Sequence, residues 1–164
     1  MAITLRPITP EDEPFLFEVY AAARMEELAQ VPWDEAQKDT FLTFQFTAQQ
    51  QHYQTKFADA DFSVILDAGA PMGRLYVDRR VDEIRILDIA LLPAHQGRGI
   101  GRDLIRDLLA EAAAAGKPVR IYVENYQHRA QALFKSLGFE QTEDHGVSVL
   151  MQWQPEGHPE AEGG

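Results

Sequence analysis

The sequence predicts an α/β (α+β) fold, and three observations carry that expectation. Apolar runs of strand length recur along the chain, segments with apolar residues three and four apart separate them, and Gly or Pro stands at most junctions. At 164 residues, 45% hydrophobic and 25% charged, the chain has the size and composition of one globular domain. We therefore expect a single domain over 1–154, followed by a disordered C-terminal tail over 155–164.

Ile3 to Ile8 alternate apolar residues with polar ones or Arg, as a half-buried strand does. Thr9, Pro10 and the acids Glu11, Asp12 and Glu13 then supply an N-cap, a proline at the first helical position and an acidic first turn. The helix they open carries Leu16, Val19, Tyr20 and Ala23 on one face and fades near Gln30, because Val31-Pro32 disfavours its continuation. Asp34 with Gln37 forms a capping box for a long second helix, whose stripe is Leu42, Gln45, Phe46, Gln49, Tyr53 and Phe57. Trp33, Phe41, Phe44 and Tyr53 are expected in the core, and Gln45, Gln49, Gln50, Gln51 and Gln54 on a polar helix surface.

From Phe62 the period becomes that of strands. Phe62 to Leu66 and Leu75 to Val77 make a hairpin with Asp67, Gly69 and Pro71 as turn residues, and Glu83 to Leu92 a third strand that Pro93 stops. Leu104, Ile105, Leu108, Leu109 and Ala112 form a helical face ending near Gly116. Val119 to Glu124 is a strand, and Ala130, Leu133, Phe134 and Leu137 mark a helix closed by Gly138 in the C′ position. Two further strands fit Phe139 to Glu143 and Val147 to Trp153. Pro155 to Gly164 holds Pro, Gly and Glu without an apolar anchor, the composition of a disordered terminus.

Charge and composition exclude several functions. Fifteen Lys and Arg against 26 Asp and Glu give a net charge of -11, a field that repels nucleic acid and anionic lipid and suits a cationic partner. No run reaches the ~18 apolar residues of a membrane span, and Met1 to Pro10 lacks the marks of a signal peptide, so a cytoplasmic protein is expected, with no membrane and no nucleic acid among its partners. The absence of Cys removes disulfides, thiolate metal sites and a cysteine nucleophile. His52, His95, His128, His145 and His158 show no metal-ligand spacing, and no metal is expected.

The segment Gln96-Gly97-Arg98-Gly99-Ile100-Gly101 lies between an apolar strand and an amphipathic helix. Glycines there let a tight loop aim backbone N–H groups at one point, and the helix adds its N-terminal donors and positive dipole end, as an anionic cofactor requires. Arg98 and Arg102 add local positive charge. On this loop alone, a flexible turn whose glycines serve only backbone geometry stays open as an alternative. A P-loop is not matched, and a dinucleotide fingerprint needs a third glycine where Arg102 stands.

Gln96, Gly99 and Gly101 meet the Gln/Arg-x-x-Gly-x-Gly/Ala signature of the GNAT superfamily of N-acetyltransferases, which this sequence resembles. The resemblance extends to Ile89-Ala90-Leu91-Leu92-Pro93 before the loop. It continues in Ala130-Gln131-Ala132-Leu133-Phe134-Lys135-Ser136-Leu137-Gly138-Phe139 after it, and covers residues 3 to about 154. It implies a mixed, mostly antiparallel central sheet of six to seven strands flanked by about four helices. It also implies acetyl-CoA as cosubstrate, in a V-shaped gap between the strand ending at Leu92 and the strand ending near Glu124. Main-chain groups of Ile89, Ala90 and Leu91 would pair with the pantetheine arm, N–H groups of Gly97, Arg98, Gly99, Ile100, Gly101 and Arg102 would bind the pyrophosphate, and Gln96, Asn125, Arg129 and Phe134 would complete the cofactor side. An N–H near Ile89 or Leu91 would meet the oxyanion. The acetyl group would pass directly to a primary amine of a small or protein acceptor; a homodimer is compatible with the family.

Phe134 stands where many relatives have a Tyr that protonates the departing thiolate, and Phe has no donor. His128 stands where the family often has Asn; Tyr126 is the substitute acid considered. A carboxylate must take the proton of the ammonium directly or through water, and Asp88, within an apolar strand, and Glu26-Glu27, at the end of the first helix, are the candidates, Glu27 foremost with Asp88. Glu26, Glu27 and Glu83 read individually as solvated surface charges, and Asp88 equally well as a hydrogen-bonded structural carboxylate. Phe134 and His128 motivate a second reading, a CoA-binding or regulatory module that has lost turnover. A third, a nucleotide-binding regulatory domain, requires ATP or NAD to bind at least as well as CoA.

Overall fold

The computed structural model describes residues 2–156. Its elements are β1 (Ile3–Pro7), α1 (Glu13–Ala29), α2 (Glu35–Lys56), β2 (Asp61–Asp67), β3 (Ala70–Arg79), β4 (Ile84–Leu91), α3 (Ile100–Ala115), β5 (Val119–Glu124), α4 (His128–Ser136), β6 (Glu140–Asp144) and β7 (Ser148–Trp153). The seven strands form a sheet in the order β1-β2-β3-β4-β5-β7-β6, parallel between β4 and β5 and antiparallel in the β1–β2, β5–β7 and β6–β7 ladders. The fold class expected from the sequence is the one found. The described residues divide into two compact units, 2–76 with Asp88–Arg98, and Val77–Leu87 with 99–156, so β3 and β4 each contribute to both.

In the first unit β1 runs antiparallel to β2 from Ile3 opposite Asp67 to Pro7 opposite Ser63. The chain leaves β1 through a 3-10 turn, Pro10–Asp12, where Asp12 accepts from the Thr9 N–H at 2.7 Å and from Arg6 at 2.9 Å. The expected Thr9–Pro10 start is therefore a short turn, and α1 begins at Glu13. Asp34 caps α2 as its spacing predicts, accepting from the Gln37 N–H at 2.8 Å. Leu16, Tyr20 and Leu28 of α1 pack with Leu42 and Phe46 of α2, and Phe46 meets Phe17 edge-on at 5.5 Å. Phe44 is 70% and Trp33 39% exposed, against expectation. Phe44 lies two residues from Leu42 and Phe46, hence on the opposite side of a helix that turns 100° per residue, and Trp33 covers Phe41 from the rim. The β2–β3 turn is Ala68-Gly69, both at positive φ (49° and 86°), the pattern of a two-residue hairpin; Pro71 lies within β3 and not in the turn.

In the second unit β4 pairs with β5 over Ile84–Ile86, and β5 lies along β7 from Val119 opposite Trp153 to Glu124 opposite Ser148. Ile100, Leu104, Ile105, Leu108 and Ala112 bury one stripe of α3. Both helices here end in Schellman geometry: Lys117 N–H bonds to Ala112 O at 2.9 Å across Gly116, and Phe139 N–H to Phe134 O at 3.0 Å across Gly138, with φ of 68° and 97° at the two glycines. Pro155 is buried, so the chain stays packed two residues beyond β7; the rest of the expected tail, 157–164, lies outside the described residues. Among the described residues no helix is long and apolar enough to cross a membrane.

Candidate functional site

The glycine loop follows β4 through a 3-10 turn at Pro93–His95. Gln96 ties the loop to the strand, its side-chain amide donating to Leu91 O at 2.9 Å. Gly97 and Gly99 sit at φ 77° and 80°, which an L side chain resists, and Gly99 is the N-cap of α3. The first helical bond runs from Asp103 N–H to Gly99 O at 3.0 Å, so the N–H groups of Ile100, Gly101 and Arg102 precede the hydrogen-bonded ladder and point out of the helix start. Gly101 differs from its neighbours. It has no positive φ, and a Cβ built on it meets nothing within 4 Å. Nothing in the fold itself requires glycine there. Arg98 stands 3.3 Å from His95 and 3.7 Å from Asp67, and Arg102 lies in the first turn of α3. A helix start with orphan donors and a glycine whose missing side chain leaves open space suits an anionic group.

Asp88 precedes Ile89, Ala90 and Leu91 in β4, and its carboxylate pairs with Arg74 of β3. Burial opposes the charge of Arg74, yet Asp88, Tyr76 and Tyr53 outweigh it and raise the guanidinium above its ordinary pKa. Burial likewise pushes the Tyr76 hydroxyl up. Glu27 is exposed and accepts from Arg24 Nε at 2.8 Å, while Arg24 Nη1 donates to Tyr20 Oη at 2.6 Å. Glu26 is exposed. The structure thus gives Asp88 a buried partner and leaves Glu27 in a surface pair. Arg74 was not expected at the site, although a charged residue inside the apolar run Met72 to Val77 is the same signal that singles out Asp88.

After β5, Asn125 donates its N–H to Val147 O at 3.0 Å and its side-chain amide to Gly146 O, holding the β6–β7 turn. Tyr126 is 44% exposed, and Arg129 is exposed in the first turn of α4. Phe134 and Ile100 are buried at 2% and 1%, so their side chains belong to the core of the second unit. Glu83, read as a surface charge, is 6% exposed; Arg85 and Arg120 bond its two carboxylate oxygens at 2.7 and 2.8 Å. The reason is placement: Arg85 lies two residues on and Arg120 is the β5 partner of Arg85, so both guanidinium groups converge on one carboxylate. Among the described residues, no three His, Asp or Glu side chains gather as a metal site would need.

Residues 22–139 match the acetyltransferase (GNAT) family. A curated relative, the N-alpha-acetyltransferase RimI of Mycobacterium tuberculosis, is 43% identical over 58 residues, a match spanning 35% of this chain and 35% of that protein. Among solved structures, the PaiA N-acetyltransferase of Thermoplasma acidophilum in complex with coenzyme A is similar with a TM-score of 0.72 and 17% identity, over 94% of this chain and 99% of that one. The ribosomal-protein-S18-alanine N-acetyltransferase of Escherichia coli is similar at a TM-score of 0.61 and 20% identity, over 96% and 97%. At these identities the structural likeness is one of fold.

Proposed function

The chain belongs to the acetyltransferase (GNAT) family, and from that membership we propose that it is an N-acetyltransferase moving the acetyl group of acetyl-CoA to a primary amine, cationic in character. The observation that carries the reading is Gly101: two other loop glycines are accounted for by backbone conformation, while Gly101 has no positive φ and open space where a Cβ would stand, which supports a ligand on the amides of the α3 start. Acetyl-CoA supplies an activated thioester. The N–H groups of Gly97 to Arg102 hold its pyrophosphate, with Arg98 and Arg102 balancing charge, and the main chain at Ile89 to Leu91 pairs with the pantetheine arm. A β4 N–H, at Ile89 or Leu91, takes the negative charge that develops on the acetyl oxygen as the neutral amine nitrogen bonds to the acetyl carbon; collapse of that adduct restores the carbonyl, breaks the carbon–sulfur bond and releases CoA as a thiolate, which takes up a proton. Asp88 or Glu27 handles the proton that the ammonium must lose before attack, directly or through water.

Acceptor choice follows charge. At a net charge of -11 the field draws cations toward the protein, and the carboxylates of Asp88 and Glu27 provide local anchors. The 43% match to a fragment of an N-alpha-acetyltransferase supports a protein α-amine as one member of the acceptor class. A cytoplasmic setting accords with this substrate class.

The experiment is thiol release from acetyl-CoA across a panel of primary amines: a polyamine, lysine, and peptides with free N-termini. Release that depends on amine supports acetyl transfer. Tight CoA binding without release from any amine favours the other reading, a CoA-binding module, to which the buried, hydroxyl-free Phe134 lends support.

A further inference from the structure

Arg74 is 2% exposed, and its guanidinium lies over two rings, the Tyr76 centroid 5.0 Å and the Tyr20 centroid 5.9 Å from Cζ. Nη2 donates to Gln49 Oε1 at 2.9 Å and to Asp88 Oδ2. Nε and Nη1 are buried without an acceptor. A core gains little from such a group. Desolvating a guanidinium and a carboxylate can cost more than their attraction returns, and packed apolar side chains of similar volume serve stability equally well. Two unsatisfied buried donors add to that cost.

The asymmetry of the pair points to what it does. The Arg74 side chain is 3% exposed and that of Asp88 21%, so the cation sits behind the anion. Oδ2 is taken by Arg74, while Oδ1 meets no donor among the described residues. The groups around the pair are Gln49 and Tyr53 of α2, Tyr20 of α1 and Tyr76 of β3, with the Arg24–Glu27 pair at the Tyr20 hydroxyl. None of these except Arg74 brings a positive charge to Asp88 directly. Asp88 adjoins Ile89, the first β4 residue assigned to the cosubstrate.

We propose that Arg74 is a positioning residue of the acceptor site, holding the Asp88 carboxylate by Oδ2 so that Oδ1 is presented to the acceptor ammonium. The proposal rests on the acetyltransferase reading. Arg74 touches neither substrate; it fixes one rotamer of Asp88 and leaves one oxygen for the amine. Its loss frees the carboxylate to rotate, which weakens the hold on the amine and leaves acetyl-CoA binding alone.

The test is steady-state thiol release with spermidine, lysine and an alanyl tripeptide, the best of the three then being used with Arg74→Met and Arg74→Lys. Arg74→Met is expected to raise KM for the amine about ten- to hundredfold, the worth of one charge-assisted hydrogen bond, with KM for acetyl-CoA changed by less than about twofold. Arg74→Lys, which keeps the charge, recovers part of the loss. An unchanged amine KM in folded Arg74→Met overturns the proposal. So does a parallel loss for both substrates that Lys does not relieve, the mark of a structural role alone. Should Arg74→Met not fold, Arg74→Lys carries the test: a selectively raised amine KM supports the proposal and an unchanged one overturns it. A wild-type protein that releases no thiol with any of the amines overturns the acetyltransferase reading and the proposal with it.

Discussion

Phe134 packs edge-on against Phe139, with ring centroids 5.0 Å apart at an interplanar angle of 70°, and both side chains are buried. A hydroxyl added at Phe134 enters that dry setting, where the family resemblance implies an acid for the departing thiolate. Phe134→Tyr is expected to lower the stability of the free protein by about 1–3 kcal/mol, the cost of a buried hydroxyl without a partner. It is also expected to raise kcat by about 10²-fold or more, as a general acid does. Urea unfolding and steady-state kinetics check the two halves. An unchanged kcat shows that thiolate protonation is not limiting, or that another donor such as Tyr126 already supplies the proton.

Glu83 is held by Arg85 and Arg120, and Arg120 reaches on to Gln152 at 2.8 Å, so one carboxylate anchors a polar row across β4, β5 and β7. Glu83→Gln keeps the shape and removes the charge. The expected loss is about 1.5–3 kcal/mol of unfolding free energy, measured by urea titration, without effect on affinity for CoA.

The Arg6 guanidinium holds the Asp12 carboxyl well below the usual carboxylate range, against a smaller opposing effect of burial and with help from the Thr9 N–H. A carboxyl lowered on folding stabilises the folded state above its unfolded pKa of ~3.9, and that contribution disappears as pH falls through the folded value. The Tm difference between wild type and Asp12→Asn is therefore expected to be largest near neutral pH and to shrink steadily below about pH 4. A difference that grows on acidification contradicts this assignment.

Steering of a cationic acceptor by the net charge of -11 is screened by salt. With acetyl-CoA saturating, kcat/KM for a polyamine is expected to fall by about tenfold or more between low salt and 1 M, as the Debye length drops to ~3 Å. A neutral amine should change little, and a preference for anionic amines at low salt contradicts a cationic acceptor.

Much of this was legible because the strongest signals are local. The Asp34–Gln37 box, the glycine at position 138 and the stripe of α3 each encode an element through contacts within a few residues. What escaped is tertiary. Arg74 and Asp88 are 14 residues apart, and Glu83 and Arg120 are 37 apart, so neither partner marks the other in the chain. Phe44 shows a second limit: aromatic character predicts burial, but its angle on α2 sends it to solvent. The glycine loop was readable as a motif, whereas the backbone angles that set Gly101 apart from Gly97 and Gly99 required coordinates.

Binding of acetyl-CoA by the amides at the start of α3 is tested most directly by calorimetric titration of acetyl-CoA into wild type and Gly101→Val. Valine and glycine differ by only a few tenths of a kcal/mol in helix propensity, and a Cβ at this position meets no protein atom within 4 Å, so the variant is expected to fold with nearly unchanged Tm. The predicted result is saturable binding by wild type and affinity lowered by about a hundredfold or more in the variant, because the branched side chain occupies the space the pyrophosphate needs. Equal affinity in a folded Gly101→Val protein contradicts the assignment of this loop to the cosubstrate.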